Sequence, residues 1–371
     1  MSDSAGTKRW GVRPWTITFG ATTQALPDAV DFAVVGGGFT GLSAAGRLAS
    51  LAPDARIALF ESETLGAGSS GHTGGMALAE TAAGDMPGLG DVLGGLSKIV
   101  HEFDIACDLT LPGVWEIGRS QGRLDSPIRW TDSGELRMQK EVPGGSVDPG
   151  KLVSGLAEAA ARKGALLFTK ARVEAVDFDS PLRLKVRGKQ IVAAKVLLAT
   201  NAESLELNAL AGIAEPKFTV ALATDALTSA QLRKIGLDAG KPFYTVDLPY
   251  LWGRLLRENR IIFGSGLVHL KNWRELLSLD VTSGDAARVM ADLERRVRNL
   301  HPELREVKVT HRWGGPILIA ENWEPVFHHH PNSEDVLVLG AYSGHGVALS
   351  VYLGSWAAEV MLQRRVLPNW T

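Results

Sequence analysis

The chain has 371 residues, of which 45% are hydrophobic and 22% are charged, as in an ordinary globular protein large enough to form two domains. The formal net charge of −2 gives no reason to expect nucleic acid or an anionic membrane as a partner. The single cysteine, Cys107, excludes an internal disulfide framework and fits a reducing compartment. We find no signal peptide and no apolar run long enough to span a membrane, so we expect a cytoplasmic protein.

A glycine turn between a strand and a helix is the first strong pattern in the chain. It follows residues 1–27, which we expect to form an extended N-terminal arm. Residues 32–41 predict a buried strand, a turn and a helix that opens at Thr40. Gly36, Gly38 and Gly41 fit the pattern G-x-G-x-x-G, in which the glycines permit the turn, the approach of a pyrophosphate and the packing of helix on strand.

A second apolar strand at residues 56–61 ends in an acid, Glu61. It lies about twenty residues beyond the turn, where an acid is placed to accept hydrogen bonds from ribose hydroxyls. The helix N-terminus would offer free N–H groups to the phosphates. These features together predict a dinucleotide-binding unit. The alternative is a glycine-rich loop that binds no nucleotide.

The rest of the chain alternates between helix and strand patterns. The predicted elements are, in chain order, a glycine-rich loop at 84–95, a helix over 97–107, strands at 115–118 and 134–138, a helix opening at 147–151 with Asp148 as its cap, strands at 165–169, 173–178, 182–186 and 196–201, a hairpin of 250–256 and 260–264, a helix over 285–300, strands at 307–315 and 336–340, and a glycine turn at 343–347 before a helix that ends near 364.

These motifs, in this order, resemble the D-amino-acid oxidase superfamily of FAD enzymes over nearly the whole chain. That group includes glycine oxidase, sarcosine oxidase, dimethylglycine dehydrogenase and γ-glutamylputrescine oxidase. The segments that carry the resemblance are 36–41 with Glu61, 66–76, 147–152, 198–201, 312–315 and 340–347. The resemblance implies FAD as the cofactor and oxidation of the C–N bond of an amine or amino acid to an imine, by hydride transfer to flavin N5 and then hydrolysis. It also implies oxygen or an acceptor protein as the electron acceptor.

The expected fold class is therefore α/β, with a discontinuous Rossmann-like FAD-binding domain and a second, antiparallel-sheet substrate domain. The expected FAD-binding domain comprises 28–80, 146–212 and 311–371, and the substrate domain comprises 81–145 and 213–310. In the superfamily the segment at 69–76 runs beside the flavin, and residues 344–347 face its pyrimidine edge, where N–H donors stabilise negative charge. The implied FAD-binding residues are Gly36, Gly38, Phe39, Thr40, Gly41, Glu61, Ser62, Ser69, Ser70, His72, Thr73, Gly74, Gly75, Met76, Val173, Ala199, Thr200, Asn201, Gly314, Gly344, His345, Gly346 and Val347.

His72 falls where dimethylglycine and sarcosine dehydrogenases carry a histidine that is covalently linked to the flavin. A histidine that is only hydrogen-bonded near the flavin is the alternative. Cys107 does not match the flavin-linking cysteine of monomeric sarcosine oxidase, which lies late in the chain, so we expect a core residue.

The substrate side departs from the amino-acid oxidases of the superfamily, which often have an arginine at the Ile317 position to clamp a carboxylate. This favours an amine, or a carboxylate held elsewhere, for which Arg254 is a candidate; a solvated strand arginine is the alternative. Tyr250 and Trp252 alternate on the same strand and would share one face. In the superfamily this region covers the substrate cavity; packing in the core is the alternative. With His345 and Arg254, Tyr250 and Trp252 are the predicted catalytic residues. No lysine matches the oxygen-activating one of sarcosine-type oxidases, so oxidase and dehydrogenase both stay open.

Two rival functions stay open beside the amine oxidoreductase: a flavin-bound assembly or scaffold protein without turnover, and an NAD-dependent dehydrogenase on the same nucleotide fold. We expect no metal site. The three consecutive histidines at 328–330 project in different directions, and a surface turn between Val326 and Val336 explains them better than metal ligation does.

Overall fold

The computed structural model describes residues 10–19, 25–119 and 123–370. The α-helices in these residues are α1 (Phe39–Leu51), α2 (Ser69–His72), α3 (Val92–Glu102), α4 (Pro149–Arg162), α5 (Ser229–Ile235), α6 (Gly284–Leu300) and α7 (Gly346–Met361). Short 3-10 helices cover Arg257–Asn259, Trp273–Leu277 and Pro302–Leu304.

The strands alternate with these helices along the chain. They are β1 (Gly11–Val12), β2 (Ala29–Val35), β3 (Ile57–Phe60), β4 (Met76–Leu78), β5 (Val114–Arg119), β6 (Arg129–Thr131), β7 (Glu135–Val142), β8 (Gly144–Ser146), β9 (Leu166–Phe168), β10 (Val173–Asp177), β11 (Leu182–Val186), β12 (Lys189–Leu198), β13 (Ala214–Thr224), β14 (Phe243–Thr245), β15 (Leu251–Leu255), β16 (Ile261–His269), β17 (Val309–Ala320), β18 (Val326–His330) and β19 (Ser333–Gly340).

The first sheet has the order β10-β11-β12-β2-β3-β9, and β19 pairs with β12 and with β18. Strands β2, β3, β9, β12 and β19 are joined by parallel pairings, which place their carboxyl ends at one edge. All four residues of β3 are buried. Ile57 and Leu59 belong to the core cluster that contains residues of α1, α4 and α7, and Ala58 and Phe60 belong to the cluster that contains residues of β10, β11 and β12. Helix α7 lies against α1 at Gly354, where an added Cβ would be 2.4 Å from the Thr40 carbonyl oxygen. The predicted nucleotide-binding architecture is confirmed.

The second sheet has the order β1-β17-β13-β16-β15-β14-β5-β7-β6 and is antiparallel except at the pairing of β14 with β5. It contains β1 of the N-terminal arm and the whole of β17, which pairs with β13 from Ala214 to Thr224. The predicted boundary at residue 311 would instead place most of β17 with the nucleotide-binding domain. The division into domains stays a prediction, but this strand hydrogen-bonds in the second sheet.

Helix α3 begins earlier than the sequence predicts, because the glycine-rich stretch to residue 95 is not all loop. The Asp91 side chain accepts a hydrogen bond from Gly94 N and caps the helix. Gly95 lets the helix approach α7, since an added Cβ there would lie 2.3 Å from the Tyr352 ring. The Asp148 cap of α4, by contrast, forms as predicted, with the carboxylate accepting from Lys151 N at 2.9 Å.

A surface turn is predicted between Val326 and Val336, and the structure has one at residues 331–332, but the three histidines at 328–330 precede it. These residues belong to β18, which pairs antiparallel with β19, and the buried ring of His330 stacks on Phe178 with centroids 4.2 Å apart. Within the described residues no group of three or more histidine, cysteine or acidic side chains is arranged to hold a metal ion. Cys107 is buried in the hydrophobic core, as predicted. None of the described helices is long and apolar enough to cross a membrane.

Candidate active site

A cavity of about 1290 Å³ is lined both by the carboxyl edge of the parallel strands and by the second sheet. Its volume exceeds the range of about 300–1,000 Å³ that is usual for a single small-molecule pocket. Most of the predicted site residues line it: Gly36, Gly38, Phe39, Thr40, Glu61, Ser62, Ser69, Ser70, His72, Thr73, Gly74, Met76, Val173, Ala199, Thr200, Asn201, Tyr250, Trp252, Gly314, Gly344, His345, Gly346 and Val347. Gly41, Gly75 and Arg254 do not.

The glycine turn after β2 is closely packed at two positions. Gly36 has a φ of +113°, and an added Cβ would lie 2.5 Å from the Ala199 carbonyl oxygen. Gly41 lies behind the turn, where an added Cβ would be 2.0 Å from the Gly36 carbonyl oxygen. Both positions therefore require glycine, and Gly41 acts through packing rather than by facing the cavity.

Helices α1 and α7 both begin at the cavity, and neither has a side-chain cap at its N-cap residue. The Phe39 N–H at the start of α1 donates to Ser70 Oγ at 2.9 Å. The first turn of a helix carries N–H groups without helical partners and the positive end of the dipole. The two helix starts can therefore hold anionic groups at two places in one cavity.

Glu61 follows β3 and lines the cavity, as predicted. One of its carboxylate oxygens accepts from Gly37 N at 2.8 Å, and the other accepts from Glu63 N at 2.8 Å. Burial raises the pKa of Glu61, and the N–H groups of Glu63 and Gly37 oppose that rise. The acid is thus fixed beside the glycine turn, where a ribose hydroxyl would reach it.

Asn201 joins three walls of the cavity. It has a φ of +48°, its Oδ1 accepts from Ala341 N at 2.9 Å, and its Nδ2 donates to Ser69 Oγ at 3.3 Å. The ends of β12 and β19 are thereby tied to the start of α2. Because Asn tolerates the left-handed conformation better than most residues, its side chain can turn back to make these bonds.

Both ring nitrogens of His72 are engaged by protein groups. Nδ1 donates to the Gly68 carbonyl oxygen at 2.9 Å, and Arg13 Nη1 lies 3.3 Å from Nε2. The ring also packs edge-on against Trp10, with centroids 5.2 Å apart. Since Nδ1 carries the proton in this arrangement, Nε2 is the acceptor that faces the arginine.

Arg254 does not face the cavity, which corrects its prediction as a clamp for a substrate carboxylate. The side chain is buried, and its Nε donates to the Gly74 carbonyl oxygen from behind the cavity wall. Burial lowers the pKa of the guanidinium to about 10, while Asp148 and Asp108 oppose that change. Its place is therefore structural, beneath the segment that the resemblance assigns to the flavin.

Trp252 does line the cavity and packs directly on that segment. An added Cβ on Gly74 would lie 2.1 Å from its Cζ3, and one on Gly264 would lie 2.0 Å from its Cζ2. The indole therefore occupies the space that a side chain would take at Gly74, in the predicted flavin segment, and at Gly264, in the second sheet. Tyr250 also lines the cavity and is 45% exposed, which places it at the rim.

A group of polar residues at the same cavity was not found from the sequence: Glu80, Glu116 and Tyr244. Tyr244 Oη lies 3.1 Å from Glu80 Oε1 and 3.2 Å from Glu116 Oε2. Burial and the two carboxylates raise the pKa of Tyr244, so the phenol keeps its proton. The one available signal was alternation, since Glu116 and Tyr244 are half-buried positions next to buried ones in β5 and β14.

His345 lies at the start of α7, and its Nδ1 is buried without a hydrogen-bond partner. Desolvation lowers its pKa below the ordinary value of 6.5, although the Ser343 backbone and Glu80 oppose the shift. The ring is therefore neutral near pH 7. A neutral imidazole with a free ring nitrogen can accept a proton or a hydrogen bond from a ligand in the cavity.

These residues fit a bound dinucleotide with a second small molecule beside it. The glycine turn, the uncapped start of α1 and the acid Glu61 suit a pyrophosphate and a ribose. The uncapped start of α7 would face a second electron-rich group further along the same cavity. Such a site is typical of a dinucleotide-binding protein with room for a second ligand beside the nucleotide.

Comparison with known proteins identifies the cofactor. The DAO family model, described as FAD dependent oxidoreductase, matches residues 31–360. The γ-glutamylputrescine oxidoreductase of Escherichia coli (strain K12) is 25% identical over 380 residues, which cover 89% of this chain and 83% of that protein. The glycine oxidase of Geobacillus kaustophilus (strain HTA426) is 24% identical, over 89% of this chain and 92% of that one.

Solved structures show the same fold. A crystal structure of glycine oxidase from Geobacillus kaustophilus superposes with a TM-score of 0.74 at 20% identity, covering 93% of this chain and 98% of that one. L-Proline dehydrogenase from P. horikoshii gives a TM-score of 0.72 at 17% identity, covering 93% and 96%. The chain belongs to the DAO family and is an FAD-dependent oxidoreductase. The alternative of an NAD-dependent dehydrogenase is thereby overturned.

Proposed function

We propose that this enzyme oxidises the C–N bond of a small amine or amino acid to an imine, which water then hydrolyses. The names of its relatives support this substrate class, because one is a γ-glutamylputrescine oxidoreductase and another is a glycine oxidase. The proposal rests on one observation: the nucleotide-binding motif and aromatic side chains of the second sheet, such as Trp252, line the same cavity. A substrate that contacts Trp252 from the cavity would lie next to the segment that contains Gly74.

FAD, when bound, supplies the hydride acceptor. The chain's own contribution is to bind and orient both partners and to control one proton. The start of α7 would stabilise negative charge that develops at the neighbouring end of the cavity. Trp252 restricts where the substrate carbon can lie, and the absence of a side chain at Gly74 leaves room for the indole in that position.

The proton of the substrate ammonium must leave before its C–H bond can be oxidised, because the free amine is the reactive form. We assign the acceptance of this proton to His345, whose Nδ1 is buried and without a partner and whose side chain lines the cavity. Its pKa below the ordinary value keeps the ring neutral at physiological pH. The same shift predicts that protonation of His345 impairs turnover only under acidic conditions.

We further propose a non-covalent FAD. Nδ1 of His72 donates to a carbonyl and Nε2 faces Arg13, so either nitrogen would have to leave its protein partner before it could bond to a flavin. The electron acceptor is oxygen or an acceptor protein.

Anaerobic mixing of the FAD-loaded enzyme with a panel of amines and amino acids tests the function. We expect the flavin absorbance to bleach with at least one amine and to recover when oxygen or an artificial acceptor is added. Recovery with oxygen alone would indicate an oxidase. If dithionite reduces the flavin but no amine or amino acid does, the proposal fails and the non-catalytic flavin-bound scaffold is favoured.

A further inference from the structure

Glu116, Tyr244 and Trp252 form a row across three neighbouring strands of the second sheet. Tyr244 of β14 is paired with Glu116 of β5 on one side and with Trp252 of β15 on the other. Residues paired across adjacent strands point to the same face, and adjacent strands lie about 4.8 Å apart. All three line the cavity, so the phenol and the Glu116 carboxylate lie beside the indole that packs on Gly74.

Glu80 reaches the same phenol from another element, since it follows β4 on the wall that carries the predicted flavin segment. Tyr244 has one proton and two carboxylate neighbours, at 3.1 and 3.2 Å. It can donate to only one of them. Lys140 Nζ also lies 3.3 Å from Glu116, so a further donor would serve Glu80 and whichever carboxylate oxygens the phenol does not reach.

The surrounding charges make that donor a cation. Lys140 Nζ lies 3.3 Å from Glu116, but its side chain is 62% exposed, and no lysine or arginine of the described chain pairs with Glu80. Arg172 is the only lysine or arginine among the described lining residues, and it adjoins Val173, which the resemblance to the superfamily places near the adenine of FAD. Ile317 occupies the position at which amino-acid oxidases of the superfamily often have a carboxylate-binding arginine. This end of the cavity therefore favours a positive ligand.

A second observation independent of the acids also indicates a ligand here. Nδ1 of His345 is buried, has no hydrogen-bond partner, and belongs to a side chain lining the same cavity. Glu80 and His345 both line this cavity. One nitrogen at His345 and another at the carboxylates would satisfy both groups.

We propose that Glu80, Glu116 and Tyr244 bind a second, protonated nitrogen of the substrate, so that the substrate class is a diamine or another amine with a distal cationic group. This inference rests on the proposed function and specifies its substrate. An ammonium group has three donors, which match the two carboxylates and the phenol oxygen. The apolar rim near Leu248 and Tyr250, which are 71% and 45% exposed, suits a methylene spacer.

Matched ligand pairs test the proposal on the FAD-loaded enzyme. Linear diamines of increasing length are each compared with the monoamine of the same length, with binding measured by anaerobic titration calorimetry and chemistry by flavin bleaching. We expect at least one diamine to bind more tightly than its monoamine. Glu80→Gln should weaken that diamine by about 10- to 100-fold, the range for losing a charge-assisted hydrogen bond, and should leave the monoamine nearly unchanged.

Two variants control for general effects of substitution. Glu141→Gln removes a carboxylate on β7 that is 46% exposed and paired with Lys241, and it should not change diamine binding. Lys140→Gln removes the cation that partly neutralises Glu116, and it should tighten diamine binding.

The outcomes separate this inference from the proposed function. If amines bleach the flavin but diamines show no advantage, or if Glu80→Gln weakens both ligands of a pair equally, the inference is overturned and the function stands. If diamines bind in a Glu80-dependent manner but no amine bleaches the flavin, the cation site stands and the proposed oxidation fails. Absence of both binding and bleaching would overturn both.

Discussion

Replacing Gly74 by alanine would force a methyl group against Trp252. The new Cβ would lie 2.1 Å from Cζ3 and 2.6 Å from Cη2 of the indole. Ordinary contacts between carbon atoms are about 3.5–4.0 Å, so a displacement of about 1.4 Å is needed. The ring cannot settle deeper into its own sheet, because it already fills the side-chain space of Gly264. It must therefore move into the cavity.

Overpacking of this size costs about 1–3 kcal/mol. If the cost falls on the state that binds FAD, the dissociation constant of FAD should rise by about 5- to 150-fold. The assay is titration of the apoprotein with FAD, followed by flavin fluorescence. Gly68→Ala is the matched control for stability, since it lies in the same segment and an added Cβ there meets nothing within 4 Å.

A double-mutant cycle with Trp252→Leu identifies the cause. Leucine lacks the ring atoms that meet the new methyl group, so Gly74→Ala should cost far less in that background, and the coupling should be about 1–3 kcal/mol. Equal losses in both backgrounds would show that Gly74 does not act through Trp252. Wild-type FAD affinity of Gly74→Ala would refute the packing argument itself.

Three other perturbations give distinct readouts. Because both ring nitrogens of His72 are engaged, acid precipitation should release FAD into the supernatant, and a yellow washed pellet would contradict this. Arg254→Met should change the half-saturation constants for amino acids and for simple amines by the same factor; a selective loss for amino acids would restore Arg254 as a carboxylate clamp. Burial raises the pKa of Cys107 from 9.0 to about 11, so its protonated form stabilises the fold below pH 9 and that stabilisation is lost as the pH rises to about 11. Between pH 8 and pH 11, the free energy of unfolding by urea should therefore fall by up to about 2.7 kcal/mol more in the wild type than in Cys107→Ala, from two pK units at 1.36 kcal/mol each. An equal fall in the two proteins would contradict this prediction.

The elements that the sequence predicts well are those fixed by neighbouring residues. The glycine turn requires a positive φ at Gly36 and close packing at Gly41, both of which are requirements of a few residues. The cap at Asp148 is equally local, because its carboxylate bonds to an N–H three residues later. The first β-α-β unit and α4 could therefore be placed without knowing the rest of the chain.

The elements that the sequence misses depend on distant partners. Helix α3 includes Gly95 because Tyr352 of α7 packs on the helix where a side chain of residue 95 would lie. The three histidines form a strand because β19 pairs with them. Composition favoured a loop at the first place and a turn at the second, but tertiary packing extends α3 into the loop and places the histidines in a strand before the turn.

The acidic group at the cavity shows the same limit more strongly. Glu116 and Tyr244 meet because β14 pairs in parallel with β5, although 128 residues separate them in the chain. Periodicity along one strand gives the face on which a residue lies but not its partner on the next strand. Arg254 shows that two residues on one face of a strand need not reach the same cavity. It lies on the same face of β15 as Trp252 but two residues further along, and it does not line the cavity.

The N-terminal arm is the part of the site for which the sequence offered no function. Trp15 Nε1 donates to the Gly71 carbonyl oxygen at 2.8 Å, Arg13 contacts His72, and Gly11 pairs with Trp313 of β17. The arm thus holds the predicted flavin segment from one side, while Trp252 packs on it from the other at Gly74. A segment fixed on both sides loses little further entropy when it orders around a cofactor. We therefore regard the arm as part of the cofactor-binding structure rather than as an appendage.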